Sequence, residues 1–104
     1  MKSITKAEWD QVHQKACDIA NATMMEDDVL AGSHQVAMHQ MLDDLERAHG
    51  VQPATLATRA DYTDDIAEQR ALFDRALIMA RQRGETDEEM EILDSLRMLD
   101  EETT

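Results

Sequence analysis

The chain has little of what turns a backbone sharply or locks it covalently: one proline, three glycines, one cysteine and three aromatic residues in 104. So few turn-formers and aromatics exclude a sandwich or barrel of many short strands. The lone Cys17 cannot close an intrachain disulfide, which favours a reducing compartment. The opening MKSITKAEWD has no apolar stretch of the kind a secretory signal needs. The longest uninterrupted apolar run, Ala76 to Ala80, is far too short to span a bilayer. Positive charge is scarce as well, with ten lysines and arginines against 23 acids and a net charge of −13. Such a chain repels phosphates and releases no counterions from them, which argues against direct binding of nucleic acid or anionic membrane. A cytoplasmic protein is the expectation.

What is present suits helices. Apolar residues at 42% and charged residues at 32% are enough for one globular domain covering residues 1–104, with no disordered composition. Eight methionines, with leucine and alanine, fit helices packed by unbranched side chains. Alternation of the kind a strand shows is absent. The charge is unevenly placed: residues 1–22 and 51–84 are each neutral, while 23–50 carry −5 and 85–104 carry −8.

Three Thr-x-x-Glu sequences, Thr5–Glu8, Thr23–Glu26 and Thr86–Glu89, read as capping boxes that open helices. Gly50 and Gly84 stand where a left-handed residue closes the preceding helix, and Asn21 fits the same role. Thr63, Asp64 and Asp65 form a fourth start, and Pro53 suits the first position of a short helical turn over 53–59. The spacing therefore predicts helices over 5–21, 24–49, 63–83 and 87–101.

Apolar stripes at the helical period run through each. They are Trp9, Val12, Ala16, Ile19 and Ala20, then Leu30, Ala37, Met41, Leu45 and Ala48 flanked by Val29 and Val36. The later pair carries Ile66, Phe73, Ala76, Leu77 and Ala80, then Ile92, Leu93, Leu96 and Leu99. The expected fold is all-α: four main helices in two antiparallel hairpins, as a bundle or a loosely repeat-like stack. Because 24–49 spans roughly 39 Å against roughly 25 Å for 5–21, the first helix should run out opposite about residue 40. A kink at Gly32-Ser33 would shorten that overhang. An echo at an offset of 60 pairs Ala7 with Ala67, Glu8 with Glu68, Ala16 with Ala76 and Ala20 with Ala80, then Asp27 with Asp87 and Met38 with Met98. Ala71 to Leu99 looks a little like a tetratricopeptide hairpin, but no 34-residue period accompanies it.

Candidate chemistry is thin. His13, His34, His39 and His49 are the metal-binding candidates. His13 is expected within about one turn of His34, and His49 far beyond the end of the first helix, so that Asp10-x-x-His13 and Glu46-x-x-His49 do not face each other. Boundary histidines held by hydrogen bonds are the plainer reading. His13 and Cys17 lie one turn apart, but a thiolate near a helix C-terminus is disfavoured and no third group orients the pair.

Asp65-x-x-Glu68 followed by Glu91-x-x-Asp94 resembles the ExxE…ExxD pattern of the MazG-type all-α pyrophosphohydrolases, with Asp in place of the first Glu. The resemblance implies Mg²⁺ held by these acids for nucleotide pyrophosphate hydrolysis, the alternative function. A tight turn at 84–86 sets the two acid pairs about 15 Å or more apart along the hairpin.

The last helix raises the sharper question, since GETDEEMEILDSLRMLDEE holds nine acids and one arginine. Asp87, Glu88 and Glu89 complement the positive end of the dipole, whereas Asp100, Glu101 and Glu102 crowd its negative end. Arg81 and Arg83 are placed to pair with the first-turn acids, and Arg97 with Asp94 or Glu101. On a helical wheel Asp87, Glu91, Asp94, Glu101 and Glu102 form one stripe opposite the leucines, with Met98 in its midst. These six residues are the candidate partner-binding set; no catalytic residue, metal ligand or cofactor is assigned. We expect a small acidic protein-binding module, an adaptor, inhibitor or immunity-type protein engaging a basic protein surface. Mimicry of nucleic-acid charge is a variant of the same expectation, and a homodimer is compatible with it.

Overall fold

The computed structural model describes residues 3–103. Among these, 85% are helical and no strand occurs, so the protein is all-α. There are five helices: α1 (Lys6–Met24), α2 (Asp28–His49), α3 (Pro53–Asp61), α4 (Ile66–Arg83) and α5 (Thr86–Thr103). None is long and apolar enough to cross a membrane. The chain divides into two compact units, Met1–Gly50 and Val51–Thr104.

In the first unit α1 opens on a complete capping box. The Glu8 N–H donates to Thr5 Oγ1 at 3.1 Å, and the Thr5 N–H donates back to Glu8 Oε1 at 2.9 Å. The helix does not stop at Asn21 but continues to Met24, because its closing residue is Glu26, at φ 59°. The Asp27 N–H donates to the Ala22 carbonyl at 2.9 Å and the Glu26 N–H to the Thr23 carbonyl at 3.0 Å. This is a Schellman motif with glutamate in the left-handed position that glycine usually takes.

Thr23 is therefore the last turn of α1, its hydroxyl bonded to the Ile19 carbonyl, and no second capping box forms. Asp27 caps α2 instead, its carboxylate accepting from the Leu30 N–H at 3.0 Å. Moving the turn from residue 22 to residues 25–27 removes most of the expected overhang, and α2 is helical throughout Gly32-Ser33.

The buried side of this hairpin is Val12, Ile19 and Ala22 on α1 and Met38, Leu42, Leu45 and His49 on α2. It is rotated from the expected stripe: Met38 and Leu42 replace Ala37 and Met41 at the centre, while Ala20, Leu30 and Ala48 are exposed. Met38 buries far more apolar surface than Ala37 would, and the helix turns to bury it.

In the second unit the connection is a full helix. Pro53 starts α3 at its first position. Fully buried Thr55 satisfies its hydroxyl on Gln52, accepting from the N–H at 3.1 Å and donating to the carbonyl at 2.9 Å. Thr63 completes the end of α3, its hydroxyl bonded to the Arg59 carbonyl at 2.8 Å, so α4 begins at Ile66 and not at 63.

Gly84, at φ 67°, closes α4 in a second Schellman motif: the Glu85 N–H donates to Ala80 at 2.9 Å and the Gly84 N–H to Arg81 at 3.2 Å. Thr86 is then already the first residue of α5, and the Glu89 N–H donates to the Glu85 carbonyl, so Thr86–Glu89 is not the helix's capping pair. One core joins the three helices: Leu56 and Ala60 of α3, Phe73, Ala76 and Ala80 of α4, Ile92 and Leu99 of α5. Ile66 and Leu93, expected in it, are exposed.

The two Schellman turns, at Glu26 and Gly84, align the halves at an offset of 58, not 60. At that offset buried Ala22 matches buried Ala80. A slip of two residues is about 200° on a helix, so the echo at 60 pairs opposite faces and marks no structural repeat.

Candidate interaction surface

α5 is fixed against α4 by two ion pairs, Arg70 with Asp100 and Arg81 with Glu89 at 3.7 Å. Both belong to one antiparallel register, in which Glu91 lies level with Met79 and Asp94 with Ala76. With Ile92 and Leu99 buried toward α3 and α4, the opposite side of α5 is turned outward. All six of the sequence's candidate residues, Asp87, Glu91, Asp94, Met98, Glu101 and Glu102, are exposed there. Met98 sits within the acids at 53% exposure. Asp94 shares its charge with Arg97, which holds it by a hydrogen bond from Nη2. Arg83 does not serve the first turn of α5; it donates to the Val51 carbonyl at 3.1 Å and ties the end of α4 to the approach to α3.

The ridge has a different margin on each side. On one, Met90 and Leu93 are exposed and line a shallow hollow of about 280 Å³ with Asp94 and Arg97. Leucine spacing concealed this, because Leu93 belongs to the same sequence stripe as Ile92 and Leu96 yet lies about 100° from Ile92. On the other side, Met98 and Glu102 border a cleft of about 140 Å³ whose wall includes Phe73, Ser95 and Asp61. Asp61 is exposed as a residue, but its place at the end of α3 removes enough water to push its carboxyl above the ordinary range.

At the start of the ridge, Glu88 is also pushed up. Partial burial is the main cause, followed by repulsion from Glu91 and Glu85. It occupies the third position of α5, where a capping box would place a glutamate. The residue that precedes the helix is Glu85, so the partner is another acid instead of a threonine hydroxyl.

The metal-site reading meets the register. Glu68 lies level with Glu102, and Asp65 beyond it, so Asp65 and Glu68 stand roughly 12–20 Å along the hairpin from Glu91 and Asp94. Among the described residues no group of three or more His, Cys, Asp or Glu side chains is placed to hold a metal ion.

The histidines take hydrogen-bond partners: His34 Nδ1 meets Lys15 Nζ at 3.3 Å, and His13 Nε2 lies 3.9 Å from Cys17 Sγ. One of them departs from expectation. His49 does not lie past the end of α1. Its Nε2 is 2.9 Å from Glu8 Oε2, because the later turn brings the end of α2 back beside the start of α1. Glu8 thus serves the cap with one oxygen and His49 with the other. The Thr5 backbone N–H, then His49, hold its carboxyl down at about 2. The capping box was visible in the sequence, but the contact 41 residues away was not.

The protein defined by this geometry is a small helical one whose last helix presents an acidic, partly apolar surface. Compared with protein-family models, characterised proteins and solved structures, the chain matches none of them.

Proposed function

We propose that the protein is a small acidic non-catalytic protein-binding module, an adaptor, inhibitor or immunity-type protein, that engages a basic surface of another protein through α5. Two antiparallel hairpins, α1–α2 and α4–α5 with α3 packed beside the second, would form its scaffold. The observation that carries the reading is the outward placement of Asp87, Glu91, Glu101 and Glu102 around exposed Met98, with exposed Met90 and Leu93 alongside. Acids alone would serve solubility. Acids bordering exposed methionine and leucine give a partner both a charge to approach and an apolar area to desolvate.

The test is capture from an extract of the source cells by the intact chain and by the charge-reversed variant Glu91→Lys/Asp94→Lys/Glu101→Lys. All three positions are exposed, so the variant should fold, which circular dichroism verifies. The reading expects partners held by the native chain, and released by raised salt, to be lost by the variant. Partners retained in full by the variant would remove α5 from the interaction. Competition between the chain and duplex DNA for a captured partner distinguishes nucleic-acid mimicry from adaptor binding.

A further inference from the structure

Among the described residues, the largest apolar exposure lies in the other unit, at the tip of the α1–α2 hairpin. Met24 is 81% exposed, Met25 79% and Val29 86%, with Val36 at 60%. Val29 and Val36 are seven residues apart on α2, hence on the same side of it, about 10 Å apart along the axis. Gly32 lies between them, and a Cβ built on it would meet nothing within 4 Å. The outer side of α2 is thus a saddle, apolar at both ends and carrying only Gly32 and the small, exposed Ser33 in the middle, which lets another helix approach closely.

Its charge is predominantly negative, with Lys15 of α1 reaching His34 farther along α2. From Ala16 to Glu46 there is no lysine or arginine, while seven acids fall in that stretch, Glu26, Asp27 and Asp28 at the tip itself. This complementarity selects among occupants. A second copy of the chain would bring two sets of tip acids together with no nearby cation. An anionic membrane would be repelled for the same reason.

We infer that this saddle docks a cationic amphipathic helix from another protein, its apolar side on Met25, Val29 and Val36 and its lysines or arginines along Glu26, Asp27 and Asp28. Anchors one and two turns apart are what a helix laid in a groove presents. Unbranched, polarisable methionines at the tip adapt to different anchor shapes. The surface belongs to the first unit and the α5 ridge to the second, so it gives the chain a second interaction site built from other residues.

The probe is a synthetic helical peptide of leucine and lysine, with leucines at the i, i+3, i+4, i+7 positions. It is titrated calorimetrically into the chain carrying Glu91→Lys/Asp94→Lys/Glu101→Lys, so that the α5 ridge contributes no attraction. The inference expects binding at least tenfold tighter than to a scrambled peptide of the same composition. Met25→Gln/Val29→Gln/Val36→Gln, all surface changes, should weaken it tenfold or more.

Gly32→Ala supplies an independent check. It should raise the melting temperature, because alanine is the better helix former and meets no clash; it should also weaken peptide binding severalfold. Equal affinity for the scrambled peptide, or no loss in the triple glutamine variant, would overturn the docking site. So would a concentration-dependent dimer abolished by the same three glutamines, which would make a second copy the occupant. Failure of the α5 experiment leaves each of these outcomes unchanged.

Discussion

The two halves of the protein make the same turn with different residues. In each, a helix ends in a Schellman motif, with paired hydrogen bonds back to Ala22 and Thr23 in the first and to Ala80 and Arg81 in the second. The left-handed position is Gly84 in one and Glu26 in the other. They start helices in contrasting ways too. Glu8 sits in a complete capping box, while Glu88, at the matching third position of α5, faces Glu85 and Glu91. The path of the chain is thus set by burial in the helix that enters the turn, here at Ala22 and Ala80. The local residue only changes how much strain or repulsion that path carries.

The largest effects should come from the cores. Phe73→Ala should cost about 3–5 kcal/mol and Leu42→Ala about 2–5 kcal/mol, measured by urea denaturation. Phe73 belongs to a cluster shared by three helices, whereas Leu42 belongs to a two-helix hairpin. Amide exchange in Leu42→Ala should therefore accelerate most within residues 6–49. Uniform acceleration along the whole chain would show that the halves unfold as one.

The turns give the next largest difference, and with opposite signs. Gly84→Ala forces a side chain into the left-handed region and should cost about 1–2 kcal/mol. Glu26→Gly relieves the same strain and should stabilise by up to about 1 kcal/mol, less the added freedom of glycine in the unfolded chain. Equal responses of the same sign would break the equivalence of the two turns.

The helix starts sharpen the contrast through pH. Glu8 titrates lower in the folded chain than its ordinary 4.5. Its contribution is fully present above about 4.5 and is lost as pH falls toward about 2. Glu8→Gln should flatten that part of the stability profile. Glu88 is shifted the other way, so its ionised form is disfavoured in the fold, and stability declines as pH rises through its folded value. Glu88→Gln should be more stable than the native chain at neutral pH, with the advantage closing in acid. Chemical denaturation from pH 2 to pH 7 reads both. The smallest change is expected from Asp94→Asn, an exposed ion pair with Arg97, at about 0.5 kcal/mol or less.

Signals confined to one turn of chain were legible in the sequence: Thr5 with Glu8, Pro53, Gly50 and Gly84 all stand at helix ends. The outward side of α5 was legible too, because Ile92, Leu96 and Leu99 fix one side of a helix and the acids follow by periodicity. The start of α2 was hidden, because Thr23-x-x-Glu26 satisfies the capping pattern while Thr23 is still within α1. A local pattern states that a helix end is feasible there, not that the neighbouring helix has finished. The same limit concealed the Glu8–His49 contact, whose existence depends on where the turn falls.

By itself, then, the sequence determined that the chain is helical, how its charge is distributed and which side of its last helix carries the acids, since these follow from neighbours three or four residues apart. Only the tertiary structure decided that Glu26 makes a turn, that Met38 and Leu42 take the interior, and that Leu93, Val29 and Val36 are left outside. Those outcomes are a competition among side chains for a limited buried area, and it is settled only when the helices meet.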